Sequence, residues 1–249
     1  MSAGVASESD VQALCEVASQ KLVATDYIAA ERLLERAKSL AMEQQDFDTL
    51  ARLMFPLQEA RRQKRQRCGE GVVRFDLVCR DAAEACEAVR HMPHGQLLIR
   101  GPASTAPAEA ARRLVKSEGW FVDVLLGADF PLAGGGVLTA VFPRPADLRT
   151  LAVPTPLEVL LQRLPPHVVT LNPAELPAGP RPGTAATFAR VMDIFERLHR
   201  PFLAMADAMP VSAARLSAYD EVLAVDYACE LAHQNAAEVA RELARRAGD

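Results

Sequence analysis

The apolar residues of this chain change their spacing twice, and that change limits the fold more than any other feature. From residue 8 to residue 67 they recur every three or four positions. Val11, Leu14, Ala18 and Leu22 mark one helical face; Tyr27, Ala30, Leu34, Ala37 and Ala41 mark a second; Phe47, Leu50, Met54 and Leu57 mark a third. Pro56 lies inside the third helix and predicts a kink or a break there. At residue 72 the period falls to two. In VVRFDLVC the residues Val73, Phe75, Leu77 and Cys79 alternate with Arg74 and Asp76, the pattern of a half-buried strand. From residue 184 the helical spacing returns, first in TAATFARVMDIFERLH and then over roughly 212–225 and 229–246.

Between these helical ends the order reads β-α-β-α-β-β. Asp81 and Glu84 have the spacing of a capping box at the start of DAAEACEAVRHM. Pro107 suits a first helical turn and Gly119 a helix end in STAPAEAARRLVKSEG. QLLIR, WFVDVLLG and GVLTAVF supply the remaining strands, and helical crossovers make the first three parallel. Residues 143–183 hold ten of the seventeen prolines, which excludes helix over most of that stretch. Only PLEVLLQRL as a short helix and HVVTL as a strand stand out within it, so it is expected to wrap a surface or link domains. The expected class is α+β, mostly helical, with a small mixed α/β sheet segment. The expected regions are 1–68 helical, 72–143 α/β, 144–183 proline-rich and 184–249 helical.

Composition narrows the function classes. With 249 residues the chain has room for one or two domains, and with one Trp, three Tyr and nine Phe its core must be built from Leu, Val and Ala. A net charge of −4 disfavours a general polyanion binder. Arginine outnumbers lysine 24 to 4, which reads as the coding bias of a GC-rich, bacterial genome. No apolar run reaches the roughly 18 residues that span a bilayer, and FPLAGGGVLTAVFP is interrupted by three glycines. The start, MSAGVASESD, lacks the basic and apolar parts of a secretory signal. Cysteines at 15, 68, 79, 86 and 229 form no CxxC and no even framework, so reduced thiols in a cytoplasmic protein are expected.

In TDYIAAERLLERAKSL, Asp26, Tyr27, Ala30, Leu34 and Ala37 occupy the places of the second helix of a tetratricopeptide repeat, which the stretch resembles; Thr25 stands where glycine is usual. The helices over 11–24 and 47–60 would flank it as first-type helices. A second resemblance lies in RLSAYDEVLAVDYACELAHQNAAEVAREL. There Tyr219, Leu223, Val225 and Asp226 resemble a helix end and its turn, and His233, Ala236, Ala237 and Ala240 the start of the next unit. Arg215 and Tyr227 depart from the pattern, which has a small residue and proline there. The two resemblances lie over about 10–60 and 212–247. They imply a protein that binds other proteins through helical faces. A repeat hairpin cannot bury its apolar face alone, and about three units are normally needed. One and a half units at each end are therefore expected to be sealed by the rest of the molecule, with docking left to residual surface.

Several residue groups have spacing that chemistry would use. Glu196-x-x-His199 and Glu230-x-x-His233 each place a carboxylate and an imidazole on one helix face, as di-iron bundles do twice, with Glu221 as a further ligand; solvated or core histidines are the simpler reading. Cys86, His91 and His94 look ligand-like but fall across a helix end and lack a fourth ligand. ARRQKRQRC holds five basic residues within 61–67, read either as phosphate contacts or as cations suited to a helix C-terminus; no interleaved aromatics support base stacking, which disfavours nucleic acid. GPASTAPAE follows a strand and opens a helix. An anion or small molecule there would meet Arg80, Arg100, Ser104 and Thr105 at the carboxyl ends of the strands. The triplet Gly134–Gly136 reads as a hairpin connection, and the neighbours Asp220 and Glu221 as solvent-facing. No nucleophile elbow and no nucleotide loop occurs, and no cofactor is expected. The leading expectation is a non-enzymatic cytoplasmic protein–protein interaction or adaptor protein with an unidentified protein partner. Anion binding by the α/β segment and a metal site are the alternatives.

Overall fold

The computed structural model describes residues 8–248, so the first seven residues of MSAGVASESD lie outside it. The helices are α1 (Glu8–Val23), α2 (Tyr27–Gln44), α3 (Phe47–Glu70), α4 (Ala82–Arg90), α5 (Ala106–Glu118), α6 (Leu157–Arg163), α7 (Ala185–Asp207), α8 (Ala213–Val225) and α9 (Glu230–Gly248). The strands are β1 (Val72–Val78), β2 (His94–Pro102), β3 (Phe121–Pro131), β4 (Val137–Phe142), β5 (Val169–Leu171) and β6 (Arg181–Pro182). This is a mostly helical α+β fold with one mixed sheet. The chain divides into two compact units. A helical unit holds the chain up to Lys64 and from His199 onward, and a sheet unit holds Arg65–Leu198. The division falls inside α3 and α7.

In the helical unit the boundaries follow from short polar side chains. Asp26 caps α2 by accepting from the Ala29 amide at 3.3 Å, and Asp46 accepts from the Thr49 amide at 3.0 Å at the start of α3. Thr25 and Gln45 take left-handed backbone, φ 59° and 56°, to turn the chain between helices. Ala30, Leu34, Ala37 and Ala41 of α2 are buried with Leu50, Met54 and Leu57 of α3. Leu216, Tyr219 and Val222 of α8 and Ala232, Ala236, Ala237 and Ala240 of α9 lie in the same core. The stripes near both ends of the chain are therefore one core, in which alanines admit close helix approach and each buried leucine contributes about 1.5–3 kcal/mol.

Two helices run further than the prolines in them suggest. Pro56 does not split α3, and Pro201 does not end α7, which continues to Asp207 instead of stopping near residue 199. A helical proline removes one hydrogen bond and crowds the preceding turn. Leu53, Met54 and Leu57 are buried on both sides of Pro56, and Phe202, Leu203 and Ala206 pack on the same core past Pro201. Tertiary burial outweighs the local defect.

In the sheet unit the strand order is β5-β4-β3-β2-β1-β6. β1, β2 and β3 are parallel, and β3–β4 and β4–β5 are antiparallel. Asp81 caps α4 by accepting from the Ala83 and Glu84 amides, and Glu84 reaches back to the Arg80 amide at 2.7 Å, one residue beyond the reciprocal bond of a capping box. Gly119 ends α5 at φ 71°. Gly135 and Gly136, at φ 88° and 83°, turn the chain between β3 and β4.

The proline-rich segment is more structured than its composition suggests. It supplies α6 and both outer strands, β5 beside β4 and β6 beside β1. Proline cannot donate to a ladder, so a proline-rich chain is suited to edges. On one face of the sheet Leu97, Ile99, Val124, Leu126 and Phe142 are buried with Ala85 and Val89 of α4, Ala108 and Ala111 of α5 and Leu160 of α6. By strand alternation Leu98, Leu125 and Val141, also buried, face the other side.

Candidate functional site

The basic run 61–67 is spent on internal partners in both units. In the helical unit Arg61 is buried, with Nε donating to Glu31 at 3.1 Å and Nη2 to Glu35 at 2.6 Å. Its Nη1 lies 3.2 Å from Nε2 of His233. Lys64 pairs with the same Glu31 and sits 3.9 Å from the centroid of the Tyr227 ring. Burial would raise the Glu31 carboxyl, but Lys64 and Arg61 outweigh it and hold the group below the usual carboxylate range. In the sheet unit Arg65 is buried 2.9 Å from Asp123 and 3.9 Å from the centroid of Phe195, and Gln96 donates to Asp123 at 3.0 Å. Arg62 pairs with Glu59, and Arg67 with Glu70. A carboxylate stands beside each of the five cations.

The Glu-x-x-His residues are not gathered into a ligand set; among the described residues no group of three or more His, Cys, Asp and Glu side chains has a metal-holding arrangement. Glu196, Glu221 and Glu230 are exposed. His233 is wholly buried, with Nδ1 2.8 Å from the Cys229 carbonyl. Burial, followed by the Arg61 charge, lowers its pKa to about 4. His199 has Nδ1 2.8 Å from Oδ2 of Asp226. Burial would lower its pKa, but hydrogen bonds to Asp226 and Cys229 prevail and raise it to about 9. Elsewhere, His91 pairs with Glu87, the His94 ring lies 5.9 Å from that of Phe121 and tilted by 59° to it, and Cys86 is half-buried on α4. Asp220 pairs with Lys38 instead of facing only solvent.

Each of the four residues expected to meet an anion has a partner within the chain. Arg80 is exposed and pairs with Glu84. Arg100 pairs with Asp129 at 3.2 Å and donates to Thr139 at 3.0 Å, on the sheet face opposite α4 and α5. Ser104 accepts from the Ala106 amide at 3.2 Å. Thr105 is buried, with Oγ1 donating to the Ala146 carbonyl at 3.1 Å and accepting from the Ala146 amide at 2.8 Å. The loop is fastened to the proline-rich segment by its own polar atoms.

Exposed apolar side chains are scattered singly on several helices and strands, but on and just before α6 they are grouped. This seven-residue helix carries Leu157, Val159, Leu160 and Leu161, and only Leu160 enters the core. Leu157 and Leu161 are 45% and 47% exposed one turn apart, and Val153 just upstream is 60% exposed. The approach to α6 is fixed: the Thr155 amide donates to the Pro131 carbonyl, and the Thr155 carbonyl accepts from the Ala133 amide, both at 3.1 Å. The run LEVLL marks a helix in the sequence, but its shortness hides which side is buried. No helix among the described residues is long and apolar enough to cross a membrane. No family model, curated protein or solved structure matches this chain.

Proposed function

We propose that this chain is a non-enzymatic cytoplasmic protein that binds another protein, an adaptor whose tetratricopeptide-like helices serve as its own core and whose docking surface is the outer side of α6. The observation that carries the reading is the apolar excess of that helix: four apolar side chains, one of them in the core. An exposed leucine alone needs no explanation, but Leu157, Leu161 and Val153 are grouped and their backbone is anchored at Thr155. A patch this small suits a transient contact with an apolar face of a partner. Thr25 supports the repeat-like reading, since its φ of 59° is the conformation that glycine usually provides at that place.

The test is a photo-reactive amino acid in place of Leu161 in cells, with a second at the exposed Val78 as control. The expected result is a discrete adduct with a different protein from position 161 only, lost in Leu157→Asp. Adducts between copies of this chain alone, or none, contradict the proposal.

A further inference from the structure

Beside the apolar shoulder of α6 stands a carboxylate that the chain leaves unpaired. Other carboxylates of the sheet unit have cations of their own: Asp76 lies beside Arg74, Glu84 beside Arg80, Asp129 beside Arg100, Asp147 beside Arg149 and Glu175 beside Arg197. Glu158, in the first turn of α6, is exposed and has no ion-pair or hydrogen-bond partner for its side chain among the described residues. Each helical residue turns by about 100°, so Leu157 and Leu161 stand about 40° apart on one side of α6, next to the buried Leu160. Glu158 follows about 60° beyond Leu161 and borders that shoulder. Arg163, also exposed and without a partner among the described residues, lies at least about 120° from both leucines, on the far side of Leu160.

Given the docking surface proposed above, on which this rests, we infer that the partner segment seated on α6 is basic as well as apolar. It carries a lysine or arginine that reaches Glu158 while its apolar side chains cover Leu157, Leu161 and Val153. A carboxylate at the rim of an apolar contact loses part of its water when the contact forms. A partner cation replaces that water with a charge-assisted hydrogen bond, whereas a partner carboxylate in the same place is repelled. The seat is short: Leu157 and Leu161 lie about 6 Å apart along the helix, a span that two apolar side chains of a single segment cover. The same carboxylate opposes an anionic lipid surface, which leaves a protein contact as the use of the exposed leucines.

The experiment uses the full-length chain in cells, with a photo-reactive amino acid in place of Leu161, and reads both the yield and the position of the adduct. Tandem mass spectrometry should place the cross-link on a different protein, in a segment with Lys or Arg within about four residues of the linked position. The yield should fall about three-fold in Glu158→Gln and about ten-fold in Glu158→Lys, and should not change in Arg163→Gln, whose charge lies outside the contact. Replacing the captured Lys or Arg by Glu in the partner should restore the yield with Glu158→Lys, which a loss of folded α6 would not allow. A cross-linked protein segment without Lys or Arg, or a yield unchanged in both Glu158 variants, overturns the basic occupant and leaves the docking surface standing. A lipid adduct, or no adduct with another protein, removes both.

Discussion

Nη1 of Arg61 donates to Nε2 of His233 at 3.2 Å, across 172 positions of sequence. The direction follows from the other ring nitrogen. Nδ1 faces the Cys229 carbonyl, which can only accept, so Nδ1 carries the hydrogen and Nε2 presents its lone pair to the guanidinium. A second proton on Nε2 would face that cation, consistent with a pKa lowered by burial and then by Arg61.

His233 and His199 predict opposite limbs in a stability–pH curve. His233 falls from an ordinary 6.5 to about 4, so over that window the unfolded chain binds a proton that the folded chain does not. Its contribution is whole above 6.5 and is lost as pH falls toward 4. His199 rises from 6.5 to about 9, so its contribution is whole below 6.5 and is lost as pH rises toward 9. Glu31, held low, adds to the acid loss. Denaturant unfolding of the helical unit should therefore show maximal stability near pH 6.5, and His199→Asn should flatten the alkaline side alone. An alkaline limb already flat in the unaltered protein contradicts this.

Arg61→Met should destabilise by about 3–5 kcal/mol, because it leaves Glu31 buried with only Lys64 and removes the donor to His233. Arg61→Lys should recover part of this at most, since one ammonium cannot reach Glu31, Glu35 and His233 together. Urea midpoints measure both.

Much of this was legible in the residues, and the reasons for the exceptions are physical. The spacings around Leu34 and Phe75 fixed helix and strand because amphipathic period reports burial directly. Pro56 does not break α3, and α7 runs on past Pro201, because a local cost is outweighed by distant packing partners that no window of sequence contains. The cations at 61–67 looked free for the same reason: Glu31 and His233 are far away in the chain. The pair His199 and Asp226 could not be read from the sequence, because the histidine stands on α7 and the carboxylate 27 positions later, after α8.

Thr25→Gly should raise stability by about 0.5–1 kcal/mol. A β-branched residue at φ 59° is strained by roughly 1–2 kcal/mol, and glycine gives back only part of the relief as backbone entropy. A higher melting temperature checks it; a lower one shows that the turn is not strained.

On α6 the buried and exposed leucines should behave differently. Leu160→Ala should cost about 2–5 kcal/mol, whereas Leu157→Asp and Leu161→Asp should change stability by less than about 0.5 kcal/mol. Equal losses at all three positions would mean that the outer leucines are also core.

The measurement that bears most directly on the account is native-state hydrogen exchange of the Leu34→Ala variant. Leu34 lies on α2 and shares one sealed core with the alanine stripe of α9. The amides of Ala232–Ala240 should then exchange faster than in the unaltered protein, by the same factor as those of Ala30–Ala41. If α2 loosens while the α9 amides keep their original protection, the two ends of the chain are separate structures and the account is wrong.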